Sequence, residues 1–220
     1  MHNHLTTYIH PLSLQLNNIT HSSTNWKQTY ITVGLSILWF IGVVLVNGFD
    51  EASTRANIRW SARFSLICFC LAFGASSMYS LVQNSFTRWL LQNRKYLGVS
   101  FAIIHLIHLM FLVLLHSNFY QVFVHRSMIE LTLGGLAYVF IVLMLLTSFK
   151  VFSTLISKSV WNTLHTIGGY WILIVFSNSM IGRMIGGKYE YLPFVILLAA
   201  VWLVRLIAIV KRKTAMNSVS

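Results

Sequence analysis

The sequence predicts an all-α integral membrane bundle of about six transmembrane helices, and three observations support this fold class. Hydrophobic residues make up 56% of the 220 positions and charged residues only 9%, a balance that soluble domains do not show. Six apolar runs are each close to the ~20 residues that a helix needs to cross a hydrocarbon core of about 30 Å. The runs are too continuous for barrel strands, which leaves helices as the spanning structure.

The apolar runs divide the chain into one membrane domain with two short tails. We predict a polar N-terminal tail over 1–28, a six-helix domain over 29–211 and a short basic C-terminal tail over 212–220. The N-terminal tail has one lysine and no apolar core, so it is no secretory signal. The spans are expected near Ile31–Phe49, Phe64–Leu81, Leu97–His116, Leu131–Ser148, Leu164–Ile181 and Leu192–Val210.

The net charge of +12 comes from residues that lie almost entirely between the spans. Such cations indicate membrane topology, so we expect the lipid bilayer and no nucleic acid as a partner. All four acids fall on the side away from the termini, with six cations, and both termini are therefore predicted to be cytoplasmic. Nine cations lie on the side of the termini: Lys27, Arg88, Arg94, Lys95, Lys150, Lys158, Lys211, Arg212 and Lys213.

Histidines inside the predicted spans are the main functional candidates, because an ionisable group in a bilayer is costly unless it has a partner. His105 and His108 are three residues apart on one face of the third span. In the fifth span, Gly168 and Gly169 follow His165 and leave a flat surface beside it. A single membrane histidine usually bridges helices. A histidine pair on one span together with a histidine beside two glycines on another favours haem held by two histidines from facing helices.

The third and fifth spans run in the same direction, so the depths of their histidines can be compared. At about 1.5 Å per residue, His105 matches His165 to within roughly 5 Å and His108 matches it to within about 9 Å. Either pair could bridge one iron, and depth alone does not choose between them. Arg94, Lys95 and Lys158 lie at the ends of these spans, where they could pair with haem propionates. Zinc or copper is less expected, because no acid lies in a span.

Two segments resemble a known family, the ferric-reductase-like transmembrane domain, over roughly residues 30 to 210. The segment Arg94-Lys95-Tyr96-Leu97-Gly98 precedes the third-span histidines, and Trp161-Asn162-Thr163-Leu164-His165 opens the fifth span. Members of this family move electrons across membranes through b-type haems. The resemblance implies that His108 and His165 are the iron ligands, with His105 an extra histidine one turn earlier.

The resemblance also sets expectations for the number of haems and for the partners. Many members carry a second histidine about thirteen residues after the first on the fifth helix, where this chain has Asn178. One haem b is therefore expected rather than two. The chain has no flavin or nicotinamide domain, so a quinol or a separate flavoprotein reductase would be the electron donor, and the acceptor would also be separate. The expected location is the inner membrane of a bacterium, and the expected role is an oxidoreductase or an electron-transfer subunit.

Two alternatives remain open at this point. In one, the chain is a haem-free membrane scaffold whose histidines only bridge helices. In the other, it is a quinone-binding subunit, since Arg59 and Arg63 lie on one face where the second span begins. His116 is expected to be an interfacial polar residue, because Ser177 and Asn178 occupy the level of the fifth span that would face it.

Overall fold

The computed structural model describes residues 26–48, 50–119 and 128–217, and all regular structure in these ranges is helical. The tail predicted over 1–28 lies almost wholly outside the described residues. A one-turn helix, Lys150–Ser153, and a 3-10 turn, Tyr189–Tyr191, precede the last two long helices. The six long helices are α1 Lys27–Asn47, α2 Glu51–Leu81, α3 Ser85–Phe119, α4 Met128–Leu146, α5 Lys158–Ile185 and α6 Leu192–Asn217.

Each of the six helices is long and apolar enough to cross a membrane. The prediction of an all-α bundle is therefore confirmed, and the chain is a multi-pass integral membrane protein. Some helices extend well beyond the apolar runs that predicted them. α2 has 31 residues and α3 has 35, because polar turns continue the helix past the hydrophobic segment at one or both ends.

Asp50 explains why α2 begins thirteen residues before the predicted span. Its carboxylate accepts a hydrogen bond from the backbone N–H of Ser53 at 2.7 Å, which caps the first turn. The same hydrogen bond holds the pKa of Asp50 below its ordinary value. Glu51 and Arg55, one turn apart, form an ion pair at 2.6 Å. These local contacts satisfy helix ends that an apolar run alone does not reveal.

Helices α2 and α3 pack against each other along most of their length and form the centre of the bundle. α6 packs on α2, α5 packs on α4, and α1 lies against both α2 and α3. Leu66, Ile104 and Leu173 are fully buried where α2, α3 and α5 meet. Cys68 and Cys70 are buried free thiols on α2.

The two ends of the bundle differ in charge. The basic end is where α1 begins and α6 ends, and it carries the nine cations named above. The acidic end, named for its carboxylates, is where α1 ends and α2 begins. It carries Asp50, Glu51, Glu130 and Glu190 beside the cations Arg55, Arg59, Arg63, Arg183 and Lys188. At the acidic end Arg63 of α2 forms a 2.9 Å ion pair with Glu190, which ties α2 to the turn before α6.

Candidate functional site

His105 and His108 form a stacked pair in the interior of the bundle. Their ring centroids are 5.0 Å apart with an interplanar angle of 21°. The Nδ1 of His105 lies 2.9 Å from the hydroxyl of Ser65, and the Nδ1 of His108 lies 3.0 Å from that of Ser61. The two serines are one turn apart on α2, so α2 and α3 hold the pair together by matched polar groups on facing turns.

The hydrogen-bond partners of the two rings indicate which ring nitrogen carries the proton. Ser65 donates to the carbonyl of Ala62, and Ser61 donates to the carbonyl of Ile58. With its single proton assigned to that carbonyl bond, each serine oxygen accepts from an imidazole Nδ1–H. His108 also donates from Nδ1 to the Ile58 carbonyl at 3.0 Å. We therefore assign the Nδ1 proton to both rings, and for His108 the Ile58 carbonyl, which can only accept, supports this assignment.

Aromatic side chains from three helices surround His105. Tyr138 of α4 stacks on the imidazole with 5.2 Å between centroids, and Phe176 of α5 packs edge-to-face at the same distance. Phe101 lies one turn before it on α3, at 5.6 Å. The histidine pair is thus packed among rings.

His165 lies near the basic end and contacts a different set of residues. Its Nε2 is 3.0 Å from the hydroxyl of Thr147. We assign the Thr147 proton to the 2.7 Å bond with the Leu143 carbonyl, and on this assignment His165 donates from Nε2 and keeps its lone pair on Nδ1. The indole of Trp161 stacks on the imidazole at 4.0 Å and donates to the Thr147 carbonyl. Trp161 and Thr147 together hold the ring in place.

The structure does not bring His165 to the level of the third-helix pair, which corrects the expected depth match. His105 contacts Phe176, eleven residues beyond His165 on α5, a rise of roughly 16 Å. It also contacts Tyr138, nine residues before Thr147, which gives roughly 13 Å. His108 lies one turn farther away. In this arrangement His165 and the third-helix pair lie at different levels of the bundle and have different neighbours.

The glycine surface beside His165 is also different from the expected one. A Cβ added to Gly169 would overlap the ring of Phe73, and one added to Gly168 would come within 2.8 Å of the Met144 sulfur. Side chains of the protein itself pack against these two glycines, so the glycines do not form an open surface for a macrocycle. Gly98 on α3 is the open position, since a Cβ there would meet no atom within 4 Å.

A cavity of about 570 Å³ opens between α2, α3, α4 and α5 towards the basic end. This volume falls within the range of roughly 300–1,000 Å³ that small-molecule and cofactor sites have. We call it the basal cavity. His165 lines it, whereas His105 and His108 do not. Its walls are mainly apolar and aromatic, and its lining includes Phe69, Phe73, Phe101, Ala102, Gly98, Ile141, Met144, Leu145, Trp161, Arg94, Lys95 and Lys158.

The electrostatics of the basal cavity favour an anion. Arg94, Lys95 and Lys158 line it, and none of the described lining residues is an acid. Arg205 of α6 adds a fourth cation behind the wall. Its guanidinium lies 3.8 Å from the centroid of the Phe73 ring and donates to the Phe73 carbonyl at 2.8 Å. Several cations near a partly enclosed apolar space attract a negatively charged ligand.

The described residues contain no cluster of three or more histidine, cysteine, aspartate or glutamate side chains that could hold a bare metal ion. A metal at His165 would need most of its ligands from a prosthetic group or from solvent. The residues that the sequence did not single out are Thr147, Trp161 and Phe73. Trp161 was quoted only as part of a motif, and no local pattern marks Thr147 or Phe73.

Arg63, one of the two residues considered for quinone binding, makes its contacts with other side chains of the protein. Besides its ion pair with Glu190, its guanidinium lies over the rings of Trp60 and Tyr191 at 5.0 and 4.8 Å. Arg59, one turn earlier on α2, is exposed. The quinone site expected at this pair therefore has no supporting contact.

No protein-family model, curated protein or solved structure matches this chain.

Proposed function

We propose that this protein is a membrane electron carrier that binds one haem b in the basal cavity, with His165 as the iron ligand from the chain. The proposal rests on the residues that line that cavity. An imidazole, three cations and aromatic side chains surround a space of about 570 Å³. A planar, largely apolar macrocycle with two carboxylates matches this combination. When bound, the haem would supply one-electron redox chemistry.

Each group of cavity residues would have a distinct task. His165 would hold the iron, and Arg94, Lys95 and Lys158 would pair with the propionates by charge-assisted hydrogen bonds. Gly98 leaves room along α3, where a side chain would narrow the space. Phe69, Phe73 and Phe101 keep water away from the inner part of the cavity. Ligand identity and burial of the iron then set its potential.

His165 must change partner if it binds iron through Nε2. That nitrogen lies 3.0 Å from the Thr147 hydroxyl, so this contact would be lost. Binding through Nδ1, whose lone pair is free, leaves the Thr147 contact intact. Trp161 stacks on the ring in the present arrangement and restricts its motion.

The proposed direction of electron flow places the donor at the basic end, because the cavity opens there. The donor is a quinol or a separate flavoprotein reductase, and the acceptor is also a separate molecule. We further propose a bacterial inner membrane with both termini in the cytoplasm, on the basis of the excess of cations at the basic end. A C-terminal reporter fusion that is active only outside the cytoplasm would reverse this orientation.

Haem retention in three histidine variants tests the proposal. The full chain is produced with haem supply, purified in detergent and measured by pyridine haemochrome and reduced-minus-oxidised spectra. We expect one haem per chain in the wild type, none in His165→Ala, and unchanged content in His105→Ala and His108→Ala. Gel-filtration profiles of all variants must match, so that loss of haem is separated from loss of fold.

The opposite outcomes decide between the proposal and its alternatives. Haem that persists in His165→Ala but disappears in His108→Ala would refute the basal site. A wild-type protein that takes up no haem under any condition would favour a haem-free scaffold. Quinol-driven haem reduction in membranes, abolished by quinol analogues, would identify the donor.

A further inference from the structure

A row of polar side chains runs along one face of α2 from the acidic end to the middle of the bundle. Ser53, Asn57, Ser61 and Ser65 follow each other at intervals of four residues, and each is at most 2% exposed. Ser61 and Ser65 contact His108 and His105 of α3, so this face of α2 points at α3. We call these four residues and the two histidines the polar file.

Within the described residues the Ser53 hydroxyl has no hydrogen-bond partner, and Asn57 is the least satisfied residue of the file. It is fully buried, and neither its amide nitrogen nor its amide oxygen has a hydrogen-bond partner within the described part of the chain. A buried amide without partners costs roughly 1–3 kcal/mol for each group left unpaired. Buried polar groups of this kind are normally satisfied by internal water, which makes about three hydrogen bonds.

We propose that Asn57 binds internal water, and that this water connects the His105–His108 pair to the solvent at the acidic end. The neighbours of Asn57 along the file can continue the chain of hydrogen bonds. Ser61 lies one turn inwards and already contacts His108. Ser53 lies one turn outwards, and its backbone N–H is bonded to the exposed carboxylate of Asp50.

The file ends before it reaches the basal cavity. Phe101 and Phe69, whose rings are 5.1 Å apart, stand between His105 and the cavity. The file therefore opens to one side only, and it forms a half-channel for protons rather than a pore. Because it shares no histidine with the basal cavity, its existence does not depend on haem binding.

The ionisable groups around the histidine pair are few. Asp50 lies at the outer mouth, and Tyr138 of α4 stacks on His105. Arg183 of α5 is bonded to the hydroxyl of Tyr191 and acts electrostatically on His108. Exchange through the file replaces one proton on an imidazole Nδ1 by one deuteron from water, so the ring stays neutral and no electron moves.

The test measures hydrogen–deuterium exchange of the imidazole N–H groups. The full chain, labelled with ¹⁵N-histidine, is transferred in detergent to D₂O, and the His105 and His108 signals are assigned by their loss in single His→Gln variants. We expect both to exchange much faster than the backbone amides of Leu66 and Ile104, which are fully buried beside them. An imidazole rate no faster than those amide rates would overturn the proposal.

Asn57→Leu fills the water position with an apolar side chain and should slow imidazole exchange by about tenfold or more. Asn57→Ala removes the amide but leaves space for water, so exchange should remain fast. Asn93→Leu is the matched control, because Asn93 is also buried but donates to the carbonyl of Trp89 outside the file. Unchanged exchange in Asn57→Leu would refute the water path. If Asn57→Leu does not fold, Ser53→Val provides the block at the outer mouth and is judged by the same criterion.

Discussion

The imidazole of His105 packs edge-to-face against the ring of Phe176, with 5.2 Å between the two centroids. Phe176 also contacts Phe69 and Phe101, so one side chain of α5 joins the aromatic layer of α2 and α3. This layer separates the histidine pair from the basal cavity.

Truncating Phe176 should strongly destabilise the bundle. The side chain is 6% exposed, and removal of a buried phenylalanine costs about 3–5 kcal/mol. Ile174, on the lipid-facing side of the same helix and 49% exposed, provides the control. We expect Phe176→Ala to lower the free energy of unfolding in mixed micelles far more than Ile174→Ala. Equal losses would mean that the layer adds nothing to stability.

Alanine at two glycines should separate packing from cofactor binding. Gly169→Ala forces the Phe73 ring away from α5 and should lower stability by about 1–3 kcal/mol, as overpacking does. Gly98→Ala meets no atom within 4 Å, so it should leave stability unchanged while narrowing the cavity and weakening haem uptake. Thermal unfolding and haem titration of the two variants test this contrast, and it fails if Gly98→Ala proves the less stable variant.

The Thr147 hydroxyl should compete with iron for His165. Thr147→Val keeps the shape of the side chain but removes the acceptor of the Nε2–H bond. A hydrogen bond of about 1 kcal/mol no longer has to be broken, so haem should bind roughly fivefold more tightly if iron takes Nε2. Thr132, an exposed residue near the start of α4, the helix whose end Thr147 follows, gives the control variant Thr132→Val. Weaker binding in Thr147→Val would show that Thr147 orients the ring for iron through Nδ1.

The cap at Asp50 should make stability depend on pH in acid. Because its folded pKa lies below the ordinary value of 3.8, the charged carboxylate stabilises the fold above that pH, and this contribution is lost as pH falls through the lower, folded pKa. Asp50→Asn retains a capping side chain without the charge. Wild type should therefore be the more stable protein near neutral pH, and the difference should vanish in strong acid. A difference in melting temperature that persists below both pKa values would contradict this explanation.

The sequence predicted the number and class of the helices because hydrophobic length is a local property. It predicted their ends less well, since Asp50 and Ser157 cap α2 and α5 outside the apolar runs. The shared face of His105 and His108 followed from helical spacing and is present. The relation of that pair to His165 depends on the relative shift of α3 and α5, and spacing within one helix carries no information about that shift.

Among the cavity residues, too, some were predicted from the local sequence and others were not. Arg94, Lys95 and Lys158 were predicted at the helix ends near the ligand, and all three line the basal cavity with His165. The packing of Phe73 on Gly169 was not predicted, because these residues are far apart in the chain. Contacts across the bundle depend on the whole set of helices and cannot be inferred from either segment alone.

Arg205 has a consequence for how the protein is assembled in the bilayer. An arginine near the centre of an isolated helix raises the cost of membrane insertion by about 2.5–3.5 kcal/mol. In the finished protein its guanidinium is bonded to the Phe73 carbonyl of α2 and the Tyr170 hydroxyl of α5. Both acceptors belong to helices that leave the ribosome earlier. The last helix therefore depends on its predecessors for stable insertion, which favours its integration after the first five have come together.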